Sequence, residues 1–276
     1  MSGDSRERLR PGQNLLLGAV SGAATKCLNY PLLHIKNRRA AGNPVEWKIR
    51  TLYRGAPMAV ANLSSTSAVQ YWLSSGCYEV LSYLKPSEQA SHLTQKFLGT
   101  LIGCSLSGLW CGPFELCMIK QTYSGAHVFR TVADIVGALG PSGLFRGAVP
   151  AMAREGVFGT CMLFLCPWMR EHISALQLEA SLALAFSSLA TAIFASTVTM
   201  PLDCIKTCMQ TDHTGRRFTN MRQTFRTLVA ERGVPRLFAG NVWRISLIST
   251  TFYLIHYFND YFAPILFPLG ALTKVL

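Results

Sequence analysis

The sequence predicts an all-α membrane protein, with six transmembrane helices in three pseudosymmetric two-helix repeats around a central cavity. Three observations predict it: a motif that recurs three times, long charge-free runs, and positive charge gathered between alternate helices. The motif opens on a proline, in YPLLHIKNR from Tyr30, GPFELCMIK from Gly112 and MPLDCIKTC from Met200. It closes on an aromatic residue, a spacer and a glycine, in YRG from Tyr53, FRG from Phe145 and FAG from Phe238. The prolines Pro31, Pro113 and Pro201 lie 82 and 88 residues apart, and the glycines Gly55, Gly147 and Gly240 lie 92 and 93 apart. One unit of about ninety residues is therefore present three times, over about 14–85, 93–175 and 179–266 of a single transmembrane domain covering 1–276.

Half of the 276 residues are hydrophobic and only 14% are charged. Runs without charge extend over Gly55–Tyr78, Phe97–Phe114 and Ala180–Leu202, close to the roughly 20 residues that cross a bilayer. With their amphipathic neighbours they give helices at about Asn14–Arg39, Gly55–Ser82, Leu93–Thr122, Gly147–Ile173, Glu179–Gln210 and Gly240–Phe262. The first helix of each copy carries small residues thirteen and nine positions before its proline: Gly18 and Gly22, Thr100 and Cys104, Ser188 and Ala192. In lipid, such residues let neighbouring backbones approach. Each proline removes a helix hydrogen bond, so the odd helices are expected to kink at Pro31, Pro113 and Pro201.

The net charge of +12 is not spread evenly. The segments that follow helices one, three and five hold 16 Lys and Arg against four acids, while the opposite side holds seven of each. Basic residues that alternate with spans do not form one nucleic-acid surface, and the positive-inside bias places both termini on the less positive side. Asp4 and Glu7 interrupt the N-terminus, which has neither an apolar signal core nor an acid-poor transit composition. Nine cysteines without CxxC spacing and six histidines without HxxxH give no motif for a metal, a cofactor or a redox pair. Asn62-Leu63-Ser64 matches a glycosylation acceptor only formally, because it falls inside an expected span.

The threefold pattern P-x-[DE]-x-x-[KR] followed by aromatic-[KR]-G, with Ala239 in place of the base in the third copy, resembles the mitochondrial carrier family over nearly the whole chain. Asp203 and Lys206 fit both charged positions of the third copy, with Gln210 four residues on. The resemblance implies a matrix-side gate in which the acid of one copy pairs with the base of the next, here Glu115 with Lys206 and Asp203 with Lys36. The departures are complementary: Leu33 stands where the first copy's acid belongs and Met118 where the second copy's base belongs, and these two would face each other. Losing one partner of a buried ion pair costs about 3–5 kcal/mol, whereas replacing both with apolar groups is often neutral. The resemblance therefore implies a gate of two ion pairs and one apolar contact. The first copy runs only 24 residues from proline to glycine, against 34 and 39, and is expected to lack most of the surface helix between its spans. On the opposite face the family's [FY][DE]xx[KR] pattern is eroded to Glu79, Arg170 and Asp260, the last two as isolated remnants, which implies a weak second gate unless Glu79 comes to lie opposite Arg170.

Charges inside spans are functional candidates wherever they line a wet cavity. Lys26, Arg154, Glu155 and Arg244 are of this kind. In the family, the position seven after each closing glycine contacts substrate, which here selects Asn62, Arg154 and Leu247. The adjacent Arg154 and Glu155 can hold the carboxylate and the ammonium of a zwitterion such as an amino acid. Lys26 instead suits a phosphate, as in carriers of nucleotides or nucleotide-like cofactors. The expected activity is transport of a small charged metabolite by alternating access, as a monomeric antiporter in the mitochondrial inner membrane. The expected partners are that substrate and the lipid bilayer, including anionic lipids, with no nucleic acid. Peroxisomal or reduced-organelle membranes are the alternative location. A carrier-like receptor, insertase or scaffold that no longer transports is the competing class, and no nucleophile, metal cluster or phosphate loop marks an enzyme.

Overall fold

The computed structural model describes residues 9–40, 49–53, 56–84, 89–124, 128–145, 148–211, 218, 220–238 and 241–267. Among them the chain is helical, without a strand: α1 (Pro11–Ala40), α2 (Ile49–Leu52), α3 (Ala56–Leu84), α4 (Gln89–Ser124), α5 (Val128–Leu139), α6 (Ala148–Thr160), α7 (Cys166–Ser174), α8 (Ala180–Thr211), α9 (Met221–Arg232) and α10 (Asn241–Leu266). A π-helical turn at Cys161–Leu165 joins α6 to α7 into one rod, and 3-10 turns at Pro141–Phe145 and Val234–Phe238 precede α6 and α10. Pro31, Pro113 and Pro201 each lie inside a continuous helix. The closing glycines Gly55, Gly147 and Gly240 lie outside the described residues.

The long helices pack in chain order, α1 on α3, α3 on α4, α4 on α6, the α6–α7 rod on α8, and α8 on α10, and α10 returns to α1. That return closes a ring. Small residues set its tightness: Gly18, Gly22, Thr100, Cys104, Ser188 and Ala192 are all buried. At Gly18 the reason is explicit, since a Cβ there would lie 2.7 Å from the Ser67 carbonyl oxygen of α3. Such an approach admits only glycine.

Three stretches among the described residues are long and apolar enough to cross a membrane: His92–Leu116, Gly143–Ser174 and Ala180–Lys206. They differ from the charge-free runs of the sequence in one instructive place. The run Gly55–Tyr78 has no charge, but it carries Asn62, Ser64, Ser65, Thr66, Ser67, Gln70, Ser74 and Ser75. Absence of charge is not hydrophobicity, and several of these polar groups are spent on neighbours: Ser64 Oγ donates to the Ala19 carbonyl at 2.8 Å, and Asn14 of α1 donates to Ser75 Oγ at 2.9 Å. Gly143–Ser174 passes the same test although it contains Arg154 and Glu155.

Along its axis the ring is uneven. The half nearer the chain termini is filled, with Tyr71, Cys104, Met162, Cys166, Ala192, Phe252 and Ile255 in one buried cluster and Leu9, Leu17, Ala263 and Phe267 in another. Pro167 lacks the N–H that a regular helix needs, and the π turn just before it loosens the backbone ladder. His256 of α10 supplies a replacement donor, its Nε2 lying 2.8 Å from the Met162 carbonyl. Outside the ring, α9 is capped by Asn220, whose side chain accepts from the Gln223 N–H, and ends at Gly233 with φ of +72°. Among the described residues, the elements between the other long helices are the 12-residue α5 and the four-residue α2.

Candidate functional site

The open half of the ring holds a cavity of about 280 Å³, to which all six rods contribute side chains. On α3, Asn62, Thr66 and Gln70 follow the four-residue spacing of one helix face and all three line it. On α10, Arg244, Leu247, Ile248 and Thr251 do the same. Lys26 and Leu33 come from α1, Cys111 and Glu115 from α4, Arg154 and Glu155 from α6, and Asp203 and Lys206 from α8. Every site residue expected from the sequence whose side chain is described, the remnants at the far end apart, therefore faces one space. The side chains of Lys36, Met118 and Gln210 lie outside the described residues.

Six of these groups form one ion-pair network. Lys206 contacts Glu115, as expected from the motif. Arg154 lies at its centre: Nη2 donates to Glu115 at 2.8 Å and to its chain neighbour Glu155, and Nε is 3.4 Å from Asp203. Asp203 is 3.4 Å from Arg154 and 2.6 Å from Arg244; Lys36, its expected partner, has its side chain outside the described residues. Arg244 reaches across from α10 to the adjoining α8, where it also donates to Thr199 Oγ1 at 2.8 Å. Charges removed from water need partners and hydrogen bonds on every side, and here each carboxylate has at least one guanidinium or ammonium.

Two members of the site escaped sequence reasoning. Gln70 donates to Glu155 at 2.7 Å, which fixes the most buried acid from the far side; its signal was the Asn62–Thr66–Gln70 spacing. Cys111 lies 3.7 Å from Glu155 and 3.8 Å from Glu115, one helical turn before the motif acid. Cys111, Glu115 and Glu155 bring a sulfur and two carboxylates within 4.8 Å of one another, a mixed set of one soft and two hard donors. Arg154 and Lys206 already supply the positive charge those carboxylates require.

At the opposite end the expectation of isolated remnants is corrected: Arg170 of α7 pairs with Asp260 of α10 at 2.6 Å. Glu79 is exposed, and it is Asp260, not Glu79, that holds Arg170. The hydroxyl of Tyr78, the residue before Glu79, meets His92 at 2.6 Å.

Comparison with known proteins places this geometry. Residues 178–267 match the family model described as mitochondrial carrier protein. The tricarboxylate transport protein of Saccharomyces cerevisiae is 24% identical over 275 residues, covering 85% of this chain and 89% of that protein. The mitochondrial S-adenosylmethionine carrier of Danio rerio is 25% identical over 248 residues, covering 86% and 90%. The mitochondrial glycine transporter of Vanderwaltozyma polyspora is 27% identical over 139 residues, covering 45% of this chain and 46% of that protein. A family-model match over residues 178–267, and relatives aligned along nearly their full length, make the chain similar to mitochondrial carrier proteins.

Proposed function

We propose that this protein moves a small charged metabolite across the mitochondrial inner membrane by alternating access, working as a monomer with its substrate held by Arg154 and Glu155. The six rods are its spans, two to each of three repeats over about 14–85, 93–175 and 179–266 of one domain, with kinks at Pro31, Pro113 and Pro201 that bring the odd helices together. Both termini lie away from the matrix. Lys36, Glu115, Asp203, Lys206 and Gln210, with the apolar Leu33 and Met118, form the matrix-side gate, and Arg170 with Asp260 contributes to the opposite one.

The observation that carries this reading is the mixed character of the cavity. Lys26, Arg154, Lys206 and Arg244 line it together with Glu115, Glu155 and Asp203, so one space offers charge of both signs within a few ångströms. A guanidinium beside a carboxylate binds a zwitterion head to tail, which favours an amino acid or a related compound. Lys26 favours a second reading, a nucleotide-like cofactor whose phosphate it would hold. The relatives transport or carry glycine, tricarboxylate and S-adenosylmethionine, which supplies the starting panel.

The test is uptake of radiolabelled amino acids, citrate, S-adenosylmethionine and nucleotides into liposomes that hold the purified protein, preloaded and empty. Saturable uptake of one class, stimulated by internal substrate, supports an exchanger. If no compound is taken up and none raises the thermal midpoint, the receptor or scaffold reading replaces this one, since a substrate stabilises the state it binds.

A further inference from the structure

The acid of the third motif is held by two arginines of the cavity. Asp203 lies between two guanidiniums, 2.6 Å from Arg244 Nη1 and 3.4 Å from Arg154 Nε. Both contacts are ion pairs, and the hydrogen bonds of Arg244 go instead to Met200 and Thr199. Arg154 Nε is buried and has no hydrogen-bond partner among the described residues, an uncommon condition for a charged donor. Among the three acids, Asp203 has the most exposed side chain, 28% against 17% for Glu115 and 6% for Glu155, and it faces the cavity.

We propose that Asp203 is a built-in stand-in for the anionic group of the substrate, a carboxylate or a phosphate, and that binding displaces it from Arg154 and Arg244. This rests on the transport reading above and adds the order of events. An incoming anion with two or more oxygens can satisfy Arg154 Nε and Arg244 together, where Asp203 leaves Arg154 Nε without a hydrogen bond. The displaced carboxylate, anchored on α8 three residues before Lys206, is then free to seek the base of a neighbouring repeat. Substrate thereby arms the gate, and an empty cavity keeps its own acid occupied. A carrier built this way resists closing without cargo, because the closing charge is tied up until cargo replaces it.

The test compares the parent with Asp203→Asn, which keeps size and hydrogen bonding but removes the internal competitor. Thermal midpoints of the purified protein are followed against inorganic phosphate and citrate, with choline as the cationic control. The expected result is half-maximal stabilisation by the anions at roughly tenfold lower concentration in the variant, with choline unchanged. Asp203→Ser provides a second variant, and if either substitution lowers stability, the same anions are expected to restore it. Equal or weaker anion binding in both variants, or no rescue, overturns the proposal. If Arg154→Ala stops uptake while the Asp203 variants bind anions like the parent, the transport reading stands and the stand-in role falls.

Discussion

Asn259 on α10 donates through Nδ2 to the hydroxyl of Tyr71 on α3 at 2.7 Å, and its Oδ1 accepts from Ser21 Oγ on α1 at 2.7 Å. All three residues are buried. They tie together α1, α3 and α10 in the filled half of the ring, at the end that also holds Arg170 and Asp260. This neutral polar chain is directional and buried, whereas Arg170–Asp260 is partly open to its surroundings.

Asn259→Leu is expected to lower stability by about 1–3 kcal/mol, because Tyr71 and Ser21 each lose a partner in a buried setting. Arg170→Ala is expected to change it by no more than about 1 kcal/mol, as for other exposed pairs. Thermal unfolding of the two variants in the same detergent checks the ranking; an Arg170 effect larger than the Asn259 effect contradicts this account of the closure.

His256→Phe is expected to destabilise by about 1–3 kcal/mol, since it leaves the Met162 carbonyl of the π turn without its donor. His256→Gln, which retains an N–H of similar reach, is expected to recover most of the loss. The same melting experiment distinguishes a missing hydrogen bond from a mere change of volume.

Much of this was legible in the sequence. The charge-free runs and the small-residue pairs anticipate the long helices among the described residues to within a few positions, because close backbone approach leaves periodic marks. The contact of Asp203 with Arg244 was not legible, because it depends on how α8 and α10 lie against each other. Gln70 and Cys111 escaped for a related reason: uncharged residues show their role only when a neighbouring helix brings Glu155 to them. Arg170 and Asp260, ninety residues apart, likewise met only through the closed ring.

Gln70→Leu is expected to slow uptake by roughly tenfold or more, as a hydrogen bond to a charged group is worth about 1.5–3 kcal/mol and Glu155 is the acid it positions. Gln70→Glu, which places a second carboxylate against the first, is expected to be worse. Initial uptake rates into liposomes give both values.

Leu33→Glu combined with Met118→Lys is expected to add a third ion pair to the proposed matrix-side gate and to bias the protein toward the matrix-closed state, slowing exchange. Each single change introduces an unpaired charge and is expected to impair the protein more than the pair does. A double variant that exchanges at the parental rate contradicts the facing arrangement of these two positions.

Arg154 joins Glu115, Glu155 and Asp203 in one cavity, so the most direct measurement is uptake by Arg154→Ala in liposomes beside the parent, with melting curves to establish that both are folded. The expected result is a folded variant that has lost uptake of the parent's substrate; a folded variant that takes it up at the parental rate would remove the ion-pair cavity from the transport path.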